Sequence, residues 1–570
     1  MIFQKITIPT VCQCNELYFN GPFELDNGKI LIKNGDTITT DTFFNSLSLK
    51  KLFQYTTIKS ISMCLKIKGK GTVQACTTWI DNNEIRKNEN GPISFYGADD
   101  CEIEILFNLT TDDEIAYVKI KADSDCEIIS GYYQSPINNI NDVDLAICIC
   151  TFKREEYIKK NIENLSKSSL FNSNSKSHVF ICDNAKTLAD ISYDWVTVLP
   201  NRNVGGSGGF TRCMVEVKKS KRHFTHILLM DDDINLDSQV VERTINMIKI
   251  LKPEHKNDIL GGSMMVLHEP WIQFENGGLY KHGFMQFPNK MMDLRNIRSI
   301  IINSRINKLN YNAWCYCCMP TTMLEKGLPL PLFIHMDDIE YGTREKHNII
   351  TMNGIGVWHP FFANQRQSNI VYYDMRNKMI VLSRNNKNDV TRYSLTLLNG
   401  LFNFIYRYDY NRFLAACDGF DAYLDGIDHF KKIDPEKLNK SLSKYKTKWI
   451  DVPDIDNYEI SQNKPFVAPK TRKDIIYSIL SIGKKTEIYL DNDITQANPN
   501  GHRKMILVNR ITGKIAVFEK NPLLGIKCLI RYLQTRARLK TKALKISKEW
   551  NQRFMELTTD DYWNEYLCLK

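Results

Sequence analysis

No uncharged apolar run in this 570-residue chain approaches the ~18 residues needed to span a bilayer, so an integral membrane protein is not expected. The start, Met1-Ile-Phe-Gln-Lys-Ile-Thr-Ile-Pro9, lacks a secretory hydrophobic region, so export by that route is not expected either. Glycine is held to 28 residues and no heptad dominates, which excludes collagen-like and coiled-coil rods. Internal repeats and low-complexity tracts are lacking as well. Cysteine is not scarce, at 16 residues, but it forms no regular disulfide framework. The doublet Cys12-Gln-Cys14 has no second spaced pair, so zinc is not expected. Reduced thiols and a cytoplasmic location follow. The net charge, 75 − 65 = +10, is too mild to name a nucleic-acid partner. Its distribution says more. Residues 1–140 carry 13 basic and 18 acidic residues, or −5, so the remainder carries +15. A basic excess toward one end suits an anionic ligand or an anionic membrane surface.

What is present divides the chain in three. Residues 1–141 show period-two runs such as Lys29-Ile-Leu-Ile-Lys33 and Ser60-Ile-Ser-Met-Cys-Leu-Lys66, separated by turn signals, which predicts short strands and a β-sandwich. A polar stretch over 132–144 reads as a linker. Residues 142–390 alternate continuous apolar runs, Leu145-Ala-Ile-Cys-Ile-Cys150 first, with helical spacing, the pattern of an α/β fold with a mostly parallel sheet. A helix is expected over about 209–219. Ligands in such sheets sit at the carboxyl ends of the strands, which puts Thr151, Asp183 and Asp231 on the functional rim. Residues 391–570 read as mainly helical. Within them 521–548 hold eight Lys+Arg, no acidic residue and interleaved leucines and isoleucines, a basic amphipathic segment.

Four local patterns carry chemistry. Asp231-Asp232-Asp233 follows the apolar run Leu228-Leu-Met; carboxylates so crowded repel unless a cation neutralises them, and hard oxygens suit Mg²⁺ or Mn²⁺. Asn201-Arg-Asn-Val-Gly-Gly-Ser-Gly-Gly-Phe210 lets backbone approach a ligand ahead of a helix N-terminus. It is not a phosphate-binding loop of the Gly-Lys-Ser/Thr type. His335-Met-Asp337-Asp338 offers a carboxylate to remove a hydroxyl proton, or merely an acidic helix cap. Trp358-His359-Pro360 ends a strand, and its histidine gains meaning if it faces Asp231 and Asp233.

Taken in order, Thr151-Phe152-Lys153-Arg154, Asp183-Asn184, the glycine loop, the aspartate triplet, Phe333-Ile-His-Met-Asp-Asp338, Val357-Trp-His359 and Tyr372-Tyr-Asp-Met-Arg-Asn377 resemble the inverting family-two glycosyltransferases of the GT-A fold. Within them the pattern is most similar to bacterial galactofuranosyltransferases that use UDP-galactofuranose. The resemblance runs over about 145–385 and extends to the flanking β-sandwich and helices. It implies that Asp231, Asp233 and His359 hold Mn²⁺ or Mg²⁺ on the donor diphosphate. It implies that Asp338 is the general base, with Asp337 its neighbour. Thr151, Phe152, Arg154, Asp183, Asn203 and Asp232 would contact the nucleotide, and Asp183 would read the uracil. Gly205, Gly206, Ser207 and Gly208 would line the donor phosphate and sugar, and Trp314 the acceptor. The acceptor implied is a cell-surface glycan or a lipid-linked glycan. The chain departs from the family at Cys315 and Met336, where tryptophans are expected, so repeated chain extension is not carried over. Further expected partners are an anionic membrane surface, met peripherally by the basic segment on the inner face of the cell membrane, and a second copy of the chain. The alternatives are a pyranosyl or rhamnosyl donor, a nucleotidyltransferase, and a non-catalytic carbohydrate-binding scaffold.

Overall fold

The computed structural model describes residues 1–10, 14–171, 176–188, 191–360, 367–385, 390–461, 477, 479–481, 484–491 and 502–569. Cys12 of the cysteine doublet lies outside the described residues. In the N-terminal part, helix α1 (Leu49–Tyr55) precedes strands β1 (Ser62–Asp81), β2 (Ile93–Leu106), β3 (Ile115–Ala122) and β4 (Cys126–Gln134). These belong to a sheet of ten described strands. The first half of β1 pairs with β4 and the second half with β3, while β2 runs along the other edge. The register slips between Lys68 and Gly69, where Gly69 has φ +114°, a conformation glycine adopts without strain. The bend curls one continuous sheet around an apolar interior. The expectation of short strands without a helix therefore needs correction: β1 has 20 residues, and α1 is present. The expected linker also starts later, because β4 runs to Gln134.

The middle part contains β5 (Leu145–Thr151), α2 (Glu155–Ser166), β6 (Ser177–Asp183), β7 (Val196–Pro200), α3 (Gly205–Lys219), β8 (His226–Asp231), α4 (Ser238–Lys249), β9 (Ile259–Val266), β10 (Ile272–Glu275), β11 (Tyr316–Pro320), α5 (Asp337–Gly342), β12 (Ile349–His359) and α6 (Val371–Asn385). The sheet order is β7-β6-β5-β8-β11-β9-β10, with β12 beside β9. β7, β6, β5 and β8 are parallel, and helices α2 and α3 lie on their connections. Their carboxyl ends align, with Thr151 opposite Asp183 and Cys150 opposite Asp231. β11 then inserts antiparallel to both β8 and β9. The sheet is mixed rather than mostly parallel, and every residue of β11 is buried, so its apolar run carries no sign of direction. Helix α3 begins at Gly205, four residues ahead of expectation.

The C-terminal part holds α7 (Tyr410–Leu424), β13 (Trp449–Asp451), β14 (Lys484–Asp491), β15 (His502–Asn509), β16 (Lys514–Glu519), α8 (Pro522–Arg553) and α9 (Asp560–Tyr566). Helices predominate among its described residues, and a four-stranded sheet that the sequence reading did not include, ordered β13-β16-β15-β14, accompanies them. Helices α6, α7 and α8 bury Met375, Met379, Phe413, Phe420 and Leu539 in one cluster, so the helical core starts before residue 390. Asn521 caps α8 by accepting the Leu524 N–H at 3.1 Å, with Pro522 in the first turn. Among the described residues no helix is long and apolar enough to cross a membrane.

The apolar core is continuous across residue 142. Phe44 of the N-terminal part packs on Trp358 of β12 with ring centroids 5.5 Å apart. Arg243 of α4, 4% exposed, ties the two parts together. Its guanidinium donates to the carbonyls of Lys5 (2.7 Å), Gly354 (3.3 Å) and Phe44 and to the Thr7 hydroxyl. Loss of the guanidinium strands buried acceptors at about 1–3 kcal/mol each. Arg243→Met is thus expected to lower the urea unfolding free energy by roughly 3 kcal/mol, and an unchanged midpoint would show that this contact does not hold the N-terminal sheet.

Candidate active site

Three carboxylates leave β8 together, and each meets a different fate. Asp231, the last residue of β8, is partly open to solvent, whereas Asp232 and Asp233 are 4% and 5% exposed. His359 ends β12, whose parallel pairing with β9 delivers it to the same rim. Its Nδ1 lies 2.7 Å from the Pro360 carbonyl, which turns Nε2 toward Asp231 (3.4 Å) and Asp233 (3.2 Å). Potential ligand atoms of Asp231, Asp233 and His359 all lie within 4.8 Å of one another. Two hard oxygens and an imidazole nitrogen oriented through its other nitrogen suit a divalent cation. Burial opposes charge on His359, but the two carboxylates outweigh it and push its pKa up to about 10. Burial likewise raises Asp233, yet His359 and Arg154 hold it below its ordinary value. Arg154 Nη1 reaches Asp232 at 2.7 Å and Asp233 at 2.8 Å. Asp232 nevertheless stays raised, chiefly by burial.

The nucleotide-side residues separate into two groups. Thr151 ends β5 on the rim, and Phe152 beside it is 44% exposed, with the Lys153 ammonium 5.5 Å from its ring centroid. Asp183 is 1% exposed. One of its oxygens accepts the Ala185 and Lys186 N–H groups at 2.9 Å, and the other those of Thr187 and Leu188 at 2.5 and 2.8 Å. Four backbone donors fill the carboxylate's acceptor sites, so in this arrangement Asp183 builds its own loop.

The glycine loop is mostly architecture. Gly205 has φ +73°, and a Cβ there would lie 2.1 Å from the Phe333 carbonyl oxygen. A Cβ on Gly209 would lie 2.1 Å from Cys150 Sγ, while one on Gly206 would meet nothing within 4 Å. Gly208 packs beside Val204 and Trp563. Ser207 is fully buried and spends its hydroxyl on the Leu330 carbonyl at 2.7 Å. Asn203 accepts the Gly205 N–H at 3.1 Å. Of the expected donor-lining residues, Gly206 alone faces open space.

Asp337 and Asp338 open α5 beyond a turn in which Phe333, His335 and Met336 have φ of 72°, 64° and 69°. Non-glycine residues in this region store strain of order 1–3 kcal/mol each, so something must hold the turn. Asn377 of α6 donates to the carbonyls of Leu332 (3.1 Å), Ile334 (2.8 Å) and His335 (3.0 Å). Arg376 adds 2.8 Å to Leu332, and the Ser207 N–H reaches Phe333 O at 3.2 Å. Burial raises both aspartates above the carboxylate range; Asp338 further raises Asp337, and Glu275 and Asp231 further raise Asp338. Trp314 is 6% exposed and packs edge-on against Phe210 (5.5 Å) and against Tyr341 (6.2 Å) of α5.

No family model matches the chain. Two characterised proteins are similar over long stretches. The galactofuranosyltransferase GlfT2 of Mycolicibacterium smegmatis is 21% identical over 92% of this chain and 88% of its own length. GlfT2 of Mycobacterium tuberculosis is 24% identical over 60% of this chain and 57% of its own. The chain is a GlfT2-like glycosyltransferase. Among solved structures, S. aureus TarS bound to UDP overlaps 53% of the glycosyltransferase and 87% of its own chain at 11% identity, with a TM-score of 0.31, too slight a likeness to carry an argument. A glycosyltransferase is neither a non-catalytic scaffold nor a nucleotidyltransferase, so those two alternatives fall away.

The sequence signals did not single out two buried residues of the glycosyltransferase beside Asp338. Glu275 ends β10 at 7% exposure, and burial pushes its pKa up to about 7 against the opposing charge of Lys290. The Tyr311 hydroxyl is buried without a hydrogen-bond partner, and both Asp338 and Glu275 act on it. The alternating run Ile272-Gln-Phe-Glu275, which leaves an acidic residue on a buried face, is the signal that could have found Glu275.

Separating packing glycines from open ones yields a paired test. Gly209→Ala is expected to destabilise the glycosyltransferase by about 1–3 kcal/mol through overpacking, and Gly206→Ala to leave the thermal unfolding midpoint unchanged. Equal midpoints for the two variants would refute the packing role of Gly209.

Proposed function

We propose that this glycosyltransferase has a GT-A core and moves a galactofuranosyl residue from UDP-galactofuranose to a hydroxyl of a glycan or lipid-linked glycan, with inversion at the anomeric carbon. The observation that carries the reading is the meeting, on one sheet rim, of a cation-binding triad and a separate pair of proton-hungry aspartates. The names of the two GlfT2 relatives support the furanose donor.

Asp231, Asp233 and His359 would hold Mn²⁺ or Mg²⁺. Such a cation offsets the negative charge of the departing diphosphate as a Lewis acid. Phe152 offers its exposed side chain to the nucleobase, Thr151 lies beside it, and Gly206 leaves room for donor backbone contacts. Arg154, anchored by Asp232, stands where it can turn from Asp233 toward phosphate oxygens. Asp338 accepts the acceptor hydroxyl proton while that oxygen attacks the anomeric carbon from the face opposite the diphosphate. One C–O bond forms, the sugar–phosphate bond breaks, and UDP leaves; no covalent sugar–enzyme bond is required.

Because Asp338 is raised above the carboxylate range, its base form is depleted as pH falls through that raised value. The acid limb of kcat/KM is therefore expected well above the ordinary Asp value of about 3.9, and a rate that stays flat down to that value would exclude Asp338 as base. Asp338→Asn should abolish transfer and leave metal-dependent UDP binding intact in calorimetry, whereas His359→Ala should weaken that binding; the reverse pattern would exchange the two assignments. A transfer screen of UDP-galactofuranose beside pyranosyl and rhamnosyl nucleotides tests the donor, and preference for a pyranosyl donor would overturn it.

The basic segment supports peripheral membrane docking in the same proposal. Along α8, Leu523, Ile526, Ile530 and Leu533 are 40–78% exposed and lie on one stripe, with Lys527 beside them. Arg531 and Arg538 instead pair with Asp418, Asp421 and Asp425. Flotation with vesicles containing phosphatidylserine should capture the wild type and lose Leu523→Ser/Leu533→Ser; no wild-type capture at low salt removes the membrane surface.

A further inference from the structure

Helix α2 buries Ile158, Ile162 and Leu165 together with one polar residue, Asn161. Asparagine is a poor helix former, and a buried amide works against the fold unless it is hydrogen-bonded. Asn161 is 1% exposed, and its Oδ1 has no hydrogen-bond partner. Its Nδ2 donates to the Asp232 carbonyl at 3.1 Å. One turn on, Asn164 Nδ2 donates to the Leu236 carbonyl at 3.4 Å, and Lys160 Nζ donates to Asn235 Oδ1 at 3.0 Å. Asn164 follows Asn161 by three residues and Lys160 by four, so the three share one side of the helix. That side grips the stretch 232–236, which leads from β8 toward α4.

The same stretch joins the cation-binding residues. The Asp232 carbonyl belongs to the planar peptide unit that leads into Asp233, so a bond to it sets the direction in which the Asp233 side chain leaves the backbone. Asn235 donates its backbone N–H to the Trp358 carbonyl at 2.8 Å and accepts the Trp358 N–H at 3.3 Å, and His359 follows Trp358 directly. Both arms of the Asp231, Asp233 and His359 group therefore meet at residues held by α2. Arg154, immediately before the helix, holds the Asp232 carboxylate through Nη1 at 2.7 Å. Asp232 is thus fixed through its side chain from the start of α2 and through its backbone from the middle.

Resting on the reading of Asp231, Asp233 and His359 as cation ligands, we propose that Asn161 is a positioning residue that holds Asp233 in ligand geometry, with Asn164 and Lys160 steadying the bridge to His359. Asn161 acts through the Asp232–Asp233 peptide and bonds to no ligand side chain. Because α2 continues directly from Thr151-Phe152-Lys153-Arg154, one helix ties the nucleotide-side loop to the cation-binding turn. Groups that orient metal ligands from behind typically change metal affinity by about 10–100-fold when removed.

The experiment is a titration of the full chain with Mn²⁺ in the presence of UDP, read by loss of the free-ion electron paramagnetic resonance signal. It is run well below the thermal unfolding midpoint of each variant, so a lowered midpoint alone leaves the Kd in place. Asn161→Leu keeps the approximate size of the side chain and removes the donor. It is expected to raise the Mn²⁺ Kd about tenfold, the lower end of that range. Asn164→Leu removes the longer bond and should raise the Kd less. A lowered unfolding midpoint of Asn161→Leu with a wild-type Kd is the mark of a merely structural role, and a wild-type Kd overturns the proposal whatever the midpoint does. Should Asn161→Leu fail to fold, Asn164→Leu, at a half-buried position, decides: an unchanged Kd there overturns the role of α2. His359→Ala is titrated alongside. If it binds Mn²⁺ as the wild type does, the ligand reading itself fails; if it is weakened while Asn161→Leu is not, only the role of α2 fails.

Discussion

Like charges gathered at one edge of a sheet must be compensated or must take up protons, and this constraint organises the glycosyltransferase. Asp231, Asp232, Asp233, Asp337, Asp338 and Glu275 crowd one rim. The protein answers in two ways. On the β8 side it supplies Arg154, which pairs with Asp232 and Asp233, and the His359 ring, which faces Asp231 and Asp233. On the α5 side it supplies burial and more negative charge, which leave Asp337 and Asp338 able to change protonation. One half of the rim has fixed charge, and the other half titrates. The proposed transfer would draw on both, the departing diphosphate on standing positive charge and the entering hydroxyl on a group that can change its own.

The fold supports this division with parts that make no contact with the charged groups. Strands β5, β6 and β8 end in register and set the rim, and β12 brings His359 up beside it. The glycine loop and α6 then grip the turn that carries the aspartate pair from opposite sides, through the Ser207 N–H and the Asn377 amide. The glycine loop and the turn before the aspartate pair are therefore joined through the carbonyls of a few strained residues.

How legible this was in the sequence depends on whether a residue's role is set by its neighbours along the chain or across space. Asp231 and His359 end apolar runs, so their places at strand ends could be read directly. The motif around Asp374, Arg376 and Asn377 was visible as a motif, but its carbonyl-binding role depends on a turn some forty residues earlier. The packing of Trp314 is set across space, because the letter alone does not tell that its ring lies edge-on to Phe210 and Tyr341. Glycines 205 and 209 were taken for ligand-facing because local pattern cannot show Phe333 or Cys150 closing the space above them. The C-terminal sheet was hidden because its strands mix charged with apolar residues and because β13 (Trp449–Asp451) lies far along the chain from β14 (Lys484–Asp491).

Trp563 of α9 is fully buried, donates its indole N–H to the Pro329 carbonyl at 3.0 Å and sits beside Gly208. Lys218 of α3 pairs with Asp560 of the same helix at 2.6 Å. The prop beneath the donor loop and beneath the approach to the aspartate pair thus comes from sequence translated more than two hundred residues after either. The rim strands and the Asp231, Asp233 and His359 group come from earlier in the chain than this floor. Loss of α9 would open the space beside Gly208 and leave the Pro329 carbonyl without its indole donor.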